Sequence, residues 1–160
     1  MVGDTAAVQG GGPLSTGWLK TKDDCLVAAY RAATEVLFTE VSRTTEATEP
    51  SDDPRGMLNA AMRAYCRLLA ANPGPARALV VESVACPAIR KVRAECLTAW
   101  AQLMEALVAE RRPDRPVPPM AGTAAIGAVV HLLATAIEEG RGLSSMSGIL
   151  ADTAYRLLLA

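Results

Sequence analysis

Residues 119 to 140 read PMAGTAAIGAVVHLLATAIEEG, and from Met120 to Ile137 only Thr123, His131 and Thr135 carry polar side chains. Their spacing of eight and then four residues puts them on one stripe of a 3.6-residue helix, with Gly127 in the gap. The rest of that helix is Ala, Val, Leu, Ile or Gly. A helix apolar nearly all round has to be covered on more than one side. The stretch therefore predicts a spine helix with one face on the domain core and the other on a second copy of the chain. A membrane span is the rival reading, because the 21 residues from Val117 to Ile137 hold no formal charge. The Ala/Gly-rich composition, the central His131 and the absence of aromatic belts and basic flanks argue against it.

The 160 residues correspond to one domain. A hydrophobic share of 51% supports a core, and a net charge of −1 gives no bulk attraction to nucleic acid or anionic lipid. Abundant Ala and Leu with few aromatics favour an all-α fold. Cys25, Cys66, Cys86 and Cys96 contain no C-x-x-C pair, and His131 is the lone histidine. The thiols read as small hydrophobes in a reduced, cytoplasmic protein, and no metal or other cofactor is expected. No basic region followed by an apolar one opens the chain, so no signal peptide is expected.

Working outward from the spine, Gly140 is suited to ending it, and a last helix is expected from Ser144 or Ser145 to the C-terminus. Upstream, RRPDRPVPP (Arg111 to Pro119) is a stiff extended linker. Before it the pattern predicts a long helix from about Ala88 to Arg111 with Ile89, Val92, Cys96, Trp100, Leu103 and Leu107 along one face; Glu105 points elsewhere. A short helix is expected over 76–85. The segment 72–75 stops the helix before it, which starts at Asp53 with Pro54 in its first turn. The first helix should start at Thr21, an N-cap followed by Asp23 and Asp24, and carry Leu26, Ala29, Tyr30, Ala33, Leu37 and Val41 inward. The polar run from Ser42 to Asp53 reads as a loop. Residues 1–18 hold a Gly triplet and no periodic pattern, and are expected to be disordered or degenerate. The expectation is thus a helical bundle of about six helices, the last two forming a four-helix interface in a dimer.

Two stretches carry a family resemblance. Lys20-Thr21-Lys22-Asp23-Asp24-Cys25-Leu26, followed by Ala28-Ala29-Tyr30, is similar to the join after the DNA-binding helices in tetracycline-repressor-like (TetR) transcriptional regulators. Asn72-Pro73, Ala76-Arg77 and Glu82 resemble a recurrent segment of their regulatory domain. The similarity covers residues 19–160, with Leu19 where the family usually has Phe and Thr16 where it usually has Tyr. The family's helix-turn-helix takes roughly 45 residues. Here 18 residues without a basic side chain precede Leu19, too few for a recognition helix. The resemblance thus implies the effector-binding and dimerisation domain alone: a homodimer, a small hydrophobic effector, DNA binding by the full-length family but not by this chain, and no membrane.

For the effector, the resemblance implies a cavity between the middle helices. Met62, Tyr65, Trp100, Met104 and His131 are the large, adaptable or polar-tipped side chains there. Glu82, an acid in an apolar run, is a sixth candidate, either orienting a ligand or pairing with Arg77 or Arg93. Core packing is the competing reading for the Met and aromatic residues. For the dimer, Ala121, Ala124, Ala125, Ala128, Gly148 and Ala151 offer the small side chains that let helices approach closely. Catalysis is not expected, because no nucleophile elbow, P-loop or dinucleotide fingerprint is present and His131 has no evident carboxylate orienter. A free-standing helical binding or scaffold protein, pairing with an intact regulator or acting alone without DNA, is the alternative.

Overall fold

The computed structural model describes residues 21–47 and 53–159. The fold is all-α: α1 (Lys22–Glu46), α2 (Pro54–Ala71), α3 (Pro73–Val80), α4 (Arg90–Arg111), α5 (Ala121–Glu138) and α6 (Ser147–Leu158), with no strand among the described residues. Short 3₁₀ turns at Glu82–Ala85, Pro87–Ile89 and Leu143–Met146 join them. The expected degenerate segment 1–18 lies outside the described residues.

Local chemistry sets the helix starts. The Thr21 hydroxyl accepts from the Asp24 N–H at 3.1 Å, and the Asp24 carboxylate accepts from the Thr21 N–H at 3.0 Å, a reciprocal capping box. At α2 the Asp53 carboxylate accepts from the Arg55 N–H at 2.9 Å, with Pro54 at the first helical position, where its missing N–H is no loss. Gly140 adopts φ +68°, and the Arg141 N–H donates to the Ala136 carbonyl while the Gly140 N–H donates to that of Ile137. This paired closure satisfies the last carbonyls of α5 and turns the chain toward α6.

Three boundaries differ from the sequence reading. The run after Val41 is not a loop: α1 continues through Ser42 to Glu46, and Thr45 is buried. Thr44 and Thr45 donate their hydroxyls to the carbonyls of Glu40 and Ser42, both at 2.8 Å, so polar side chains are satisfied within the helix. Residues 48–52 of the expected loop lie outside the described residues. The segment 72–75 both ends α2 and opens α3, since Pro73 and Pro75 fall in a first turn whose N–H groups need no partner. Helix α3 then stops at Val80, and α4 begins at Arg90 after the Pro87 turn, not at Ala88.

Helix α2 lies between α1 and α6, and α5 between α4 and α6. From α5, Ala121, Gly122, Ala125, Ile126, Val129, Leu133 and Ala136 are buried. Burial of each Val, Leu or Ile contributes about 1.5–3 kcal/mol. From α6, Leu150, Ala151, Ala154 and Leu158 complete the same core, and the α2 residue Cys66 is fully buried within it. Arg55 on α2 pairs with Asp152 on α6 and lies over the Tyr155 ring. A small second core of Tyr30, Ile89 and Val92 sits beside the first. Helix α5 is long and apolar enough to cross a membrane, and 39% of it is buried inside the bundle.

The start of α5 is made by two unusual features. Met120 precedes it in the left-handed region, φ 65°, and offers no side-chain cap. Glu105 supplies the cap from α4, its Oε1 accepting from the Gly122 N–H at 2.9 Å. This corrects the outward placement of Glu105, which is half-buried between two helices. A carboxylate at a helix N-terminus is favoured both as acceptor and by the helix dipole. The helices are so close there that a Cβ on Gly122 would stand 2.7 Å from the Ala101 carbonyl oxygen.

Candidate functional site

The two cores meet around an inner cavity of about 30 Å³, lined by side chains of α1, α2, α3, α4 and α5. Trp100 of α4 forms one wall. It is held by Phe38 at a ring-centroid distance of 5.0 Å and by Tyr65 edge-on at 5.6 Å. Tyr30, Thr34 and Leu37 come from α1, Leu79 and Val80 from α3, Arg93, Cys96 and Leu97 from α4, and Ile126 and Val130 from α5. The Thr34 hydroxyl donates back to its own helix, to Tyr30 O at 2.8 Å, and lies 3.5 Å from Cys96 Sγ. Polar atoms thus sit where two apolar clusters fail to close on each other.

A groove of about 350 Å³ opens on the other side of Tyr30 and Leu79, which line both spaces. Its walls are Leu26, Ala29 and Ala33 of α1, Pro75 and Ala78 of α3, and Ile89, with Glu82, Ser83 and Cys86 at one end. An adjoining trough of about 220 Å³ shares Ala33, Pro75 and Leu79 and runs on to Val36 and Leu68. Together they form a continuous apolar channel between α1 and α3. Leu26 and Ala29, expected to face inward, are exposed to it, as is Val36.

The six residues singled out for ligand binding do not converge. Tyr65 and Trp100 line the inner cavity. Glu82 stands at the rim of the groove and pairs with Arg77 at 3.4 Å, the first of the two partners considered for it. Met62 and Met104 are buried in the main core and line neither space. His131 is exposed on the outer face of α5, away from both. Among the lining residues missed were Tyr30, Thr34, Leu79 and Arg93. Arg93 carries a readable signal: it falls four residues after Ile89 and seven before Trp100, on the edge of the buried stripe.

The small residues proposed for pairing divide in two. Ala121, Ala125 and Ala151 are buried inside the chain's own core, which corrects their placement on an outer face. Ala124 and Gly148 are exposed and Ala128 is half-buried. The polar stripe of α5 lies on the outer face of the bundle: Thr123, Gly127 and His131 are exposed and Thr135 half-buried. Thr135 bonds the His131 carbonyl at 3.0 Å, which removes its donor from that surface.

Burial sets the ionisation of the interior. It pushes the Tyr65 hydroxyl far above its ordinary range. It also raises Tyr30, against the opposing charge of Arg93. The Cys66 thiol is raised by burial from 9.0 to about 11. A group whose folded pKa is raised contributes stability that is present below its unfolded pKa and is lost as pH rises through the folded value. All three groups act in this direction, so the melting temperature should fall between pH 9 and about 11. A scan followed by circular dichroism checks this, and Cys66→Ala should flatten the slope.

Among the described residues no group of three His, Cys, Asp or Glu side chains is placed to hold a metal ion. Set against known protein families, characterised proteins and solved structures, the chain matches none.

Proposed function

We propose that this chain is the effector-binding and dimerisation domain of a TetR-like transcriptional regulator, cytoplasmic and non-catalytic, sensing a small hydrophobic molecule and reading no DNA itself. The observation that carries the reading is the aromatic-walled inner cavity adjoining the apolar channel between α1 and α3. Sites for small molecules are concave and mostly apolar, with a few oriented polar groups. The channel supplies the apolar surface; Tyr30, Tyr65 and Arg93 supply the polar groups. The helix order and the short motifs at Thr21 and Asn72 support the family.

Pairing rests on the outer face of α5, where Ala124, Gly127 and Ala128 leave room for a second helix. In this arrangement α5 and α6 of two copies form a four-helix interface with two-fold symmetry. Sedimentation at micromolar concentration should give twice the chain mass. Ala124→Arg, an outward-facing change, should return a monomer with unchanged helicity. A wild-type monomer would remove the pairing. Duplex DNA should show no salt-dependent retardation in a mobility assay, since binding through phosphates always carries a salt slope.

A further inference from the structure

Arg93 stands apart from the other described arginines. Among the described residues, Arg63, Arg90, Arg115 and Arg156 have no carboxylate within ion-pair distance but are exposed; Arg93 also has none, yet is half-buried and lines the inner cavity. Two acids on elements that border the cavity are already engaged: Glu95 with Arg31 at 2.9 Å and Glu82 with Arg77 at 3.4 Å. A half-buried arginine without a counter-charge favours an anion, and its planar fork matches a carboxylate. Tyr30 and Tyr65 line the same space. The cavity, about 30 Å³, holds about two water-sized groups, the two oxygens of one carboxylate. The groove, which shares Tyr30 and Leu79 with the cavity, offers apolar walls for a chain.

We infer that the effector is an amphipathic carboxylate, its head held by Arg93 with Tyr30 and Tyr65, and its hydrocarbon chain lying in the groove between α1 and α3. The inference rests on the effector-binding reading and adds the chemical class to it. Charge favours an anionic head over a cationic one, because Arg93 has no counter-charge while the one acid lining the groove among the described residues, Glu82, already pairs with Arg77.

The test uses the full chain and three probes of equal chain length: decanoate, decan-1-ol and decyltrimethylammonium. Thermal shift and tryptophan fluorescence report binding. Decanoate should bind at least about tenfold more tightly than either other probe, as a charge-assisted hydrogen-bonded pair allows. Arg93→Gln should weaken decanoate about tenfold and leave decan-1-ol unchanged; Arg93→Lys should retain part of the preference. If decan-1-ol or the cation binds as well as decanoate, or Arg93→Gln leaves decanoate unaffected, the carboxylate assignment is overturned while effector binding stands. If none of the three moves the melting curve or the fluorescence, effector binding itself fails. If Arg93→Gln loses decan-1-ol as well, Arg93→Lys decides: loss of the decanoate preference with the charge retained overturns the assignment, and its survival supports it.

Discussion

Leu150→Ala should destabilise the protein by about 3–5 kcal/mol, a large part of the roughly 5–15 kcal/mol that holds a domain together. Leu150 is fully buried on α6 within the main core. Its neighbours in sequence on the buried face are Ala151 and Ala154, too small to move into the space its removal would leave. The lost transfer free energy is therefore joined by an uncollapsed cavity. Calorimetry should show the melting temperature falling by roughly 10 °C or more. Ile149, one residue away and 53% exposed, is the control. Ile149→Ala in an isolated chain should change stability by no more than about 0.5 kcal/mol. A larger loss at Ile149 would place that side chain under a partner molecule.

Gly122→Ala and Gly127→Ala, five residues apart on the same helix, should have opposite signs. At Gly122 an added Cβ meets Glu105 Oε1 at 2.4 Å and the Ala101 carbonyl oxygen at 2.7 Å. The carboxylate can swing away, but the carbonyl belongs to the backbone of α4 and cannot. The substitution therefore pushes α4 and α5 apart and breaks the Glu105 cap on the Gly122 N–H. Overpacking costs about 1–3 kcal/mol and a lost cap about 1 kcal/mol. The gain in helix propensity offsets up to about 1 kcal/mol of this. A net loss of about 2–3 kcal/mol in urea unfolding is expected. At Gly127 nothing lies within 4 Å of the added Cβ. Replacing a helical Gly by Ala there should stabilise the single chain by about 0.5–1 kcal/mol. Destabilisation at Gly127 would mean that a second helix already fills the space. Stabilisation at Gly122 would refute the close contact of α4 and α5.

What the sequence disclosed and what it hid have different physical origins. The caps at Thr21, Asp53 and Gly140 were legible because each is a contact between residues a few positions apart. The polar stripe of α5 was legible because helical period alone assigns it, but its outward direction was not, and His131 was placed at the cavity instead. The continuation of α1 past Val41 was hidden, because Ser and Thr in a row read as a turn until their hydroxyls are seen bonding the preceding carbonyls. Glu105 was misread because its role depends on the end of a different helix, which no periodicity within α4 reports. Among the candidates for the site, Tyr65 and Trp100 were found because aromatic walls stand out in an aliphatic chain. Met62 and Met104 were drawn in by the same criterion and are core. Arg93 was overlooked because its charge suggests a solvated face, while its position on the buried stripe suggests the reverse.

The close approach at Gly122 and the zero exposure of Ala125, Ala136, Ala151 and Ala154 leave one half of the bundle no slack. On the opposite side, Ala29, Ala33 and Ala78 border open channel, so a larger side chain there enters space that is already present. Mutational latitude is therefore lopsided. Drift can reshape the channel while the tightly packed seams of α5 with α4 and α6 stay fixed.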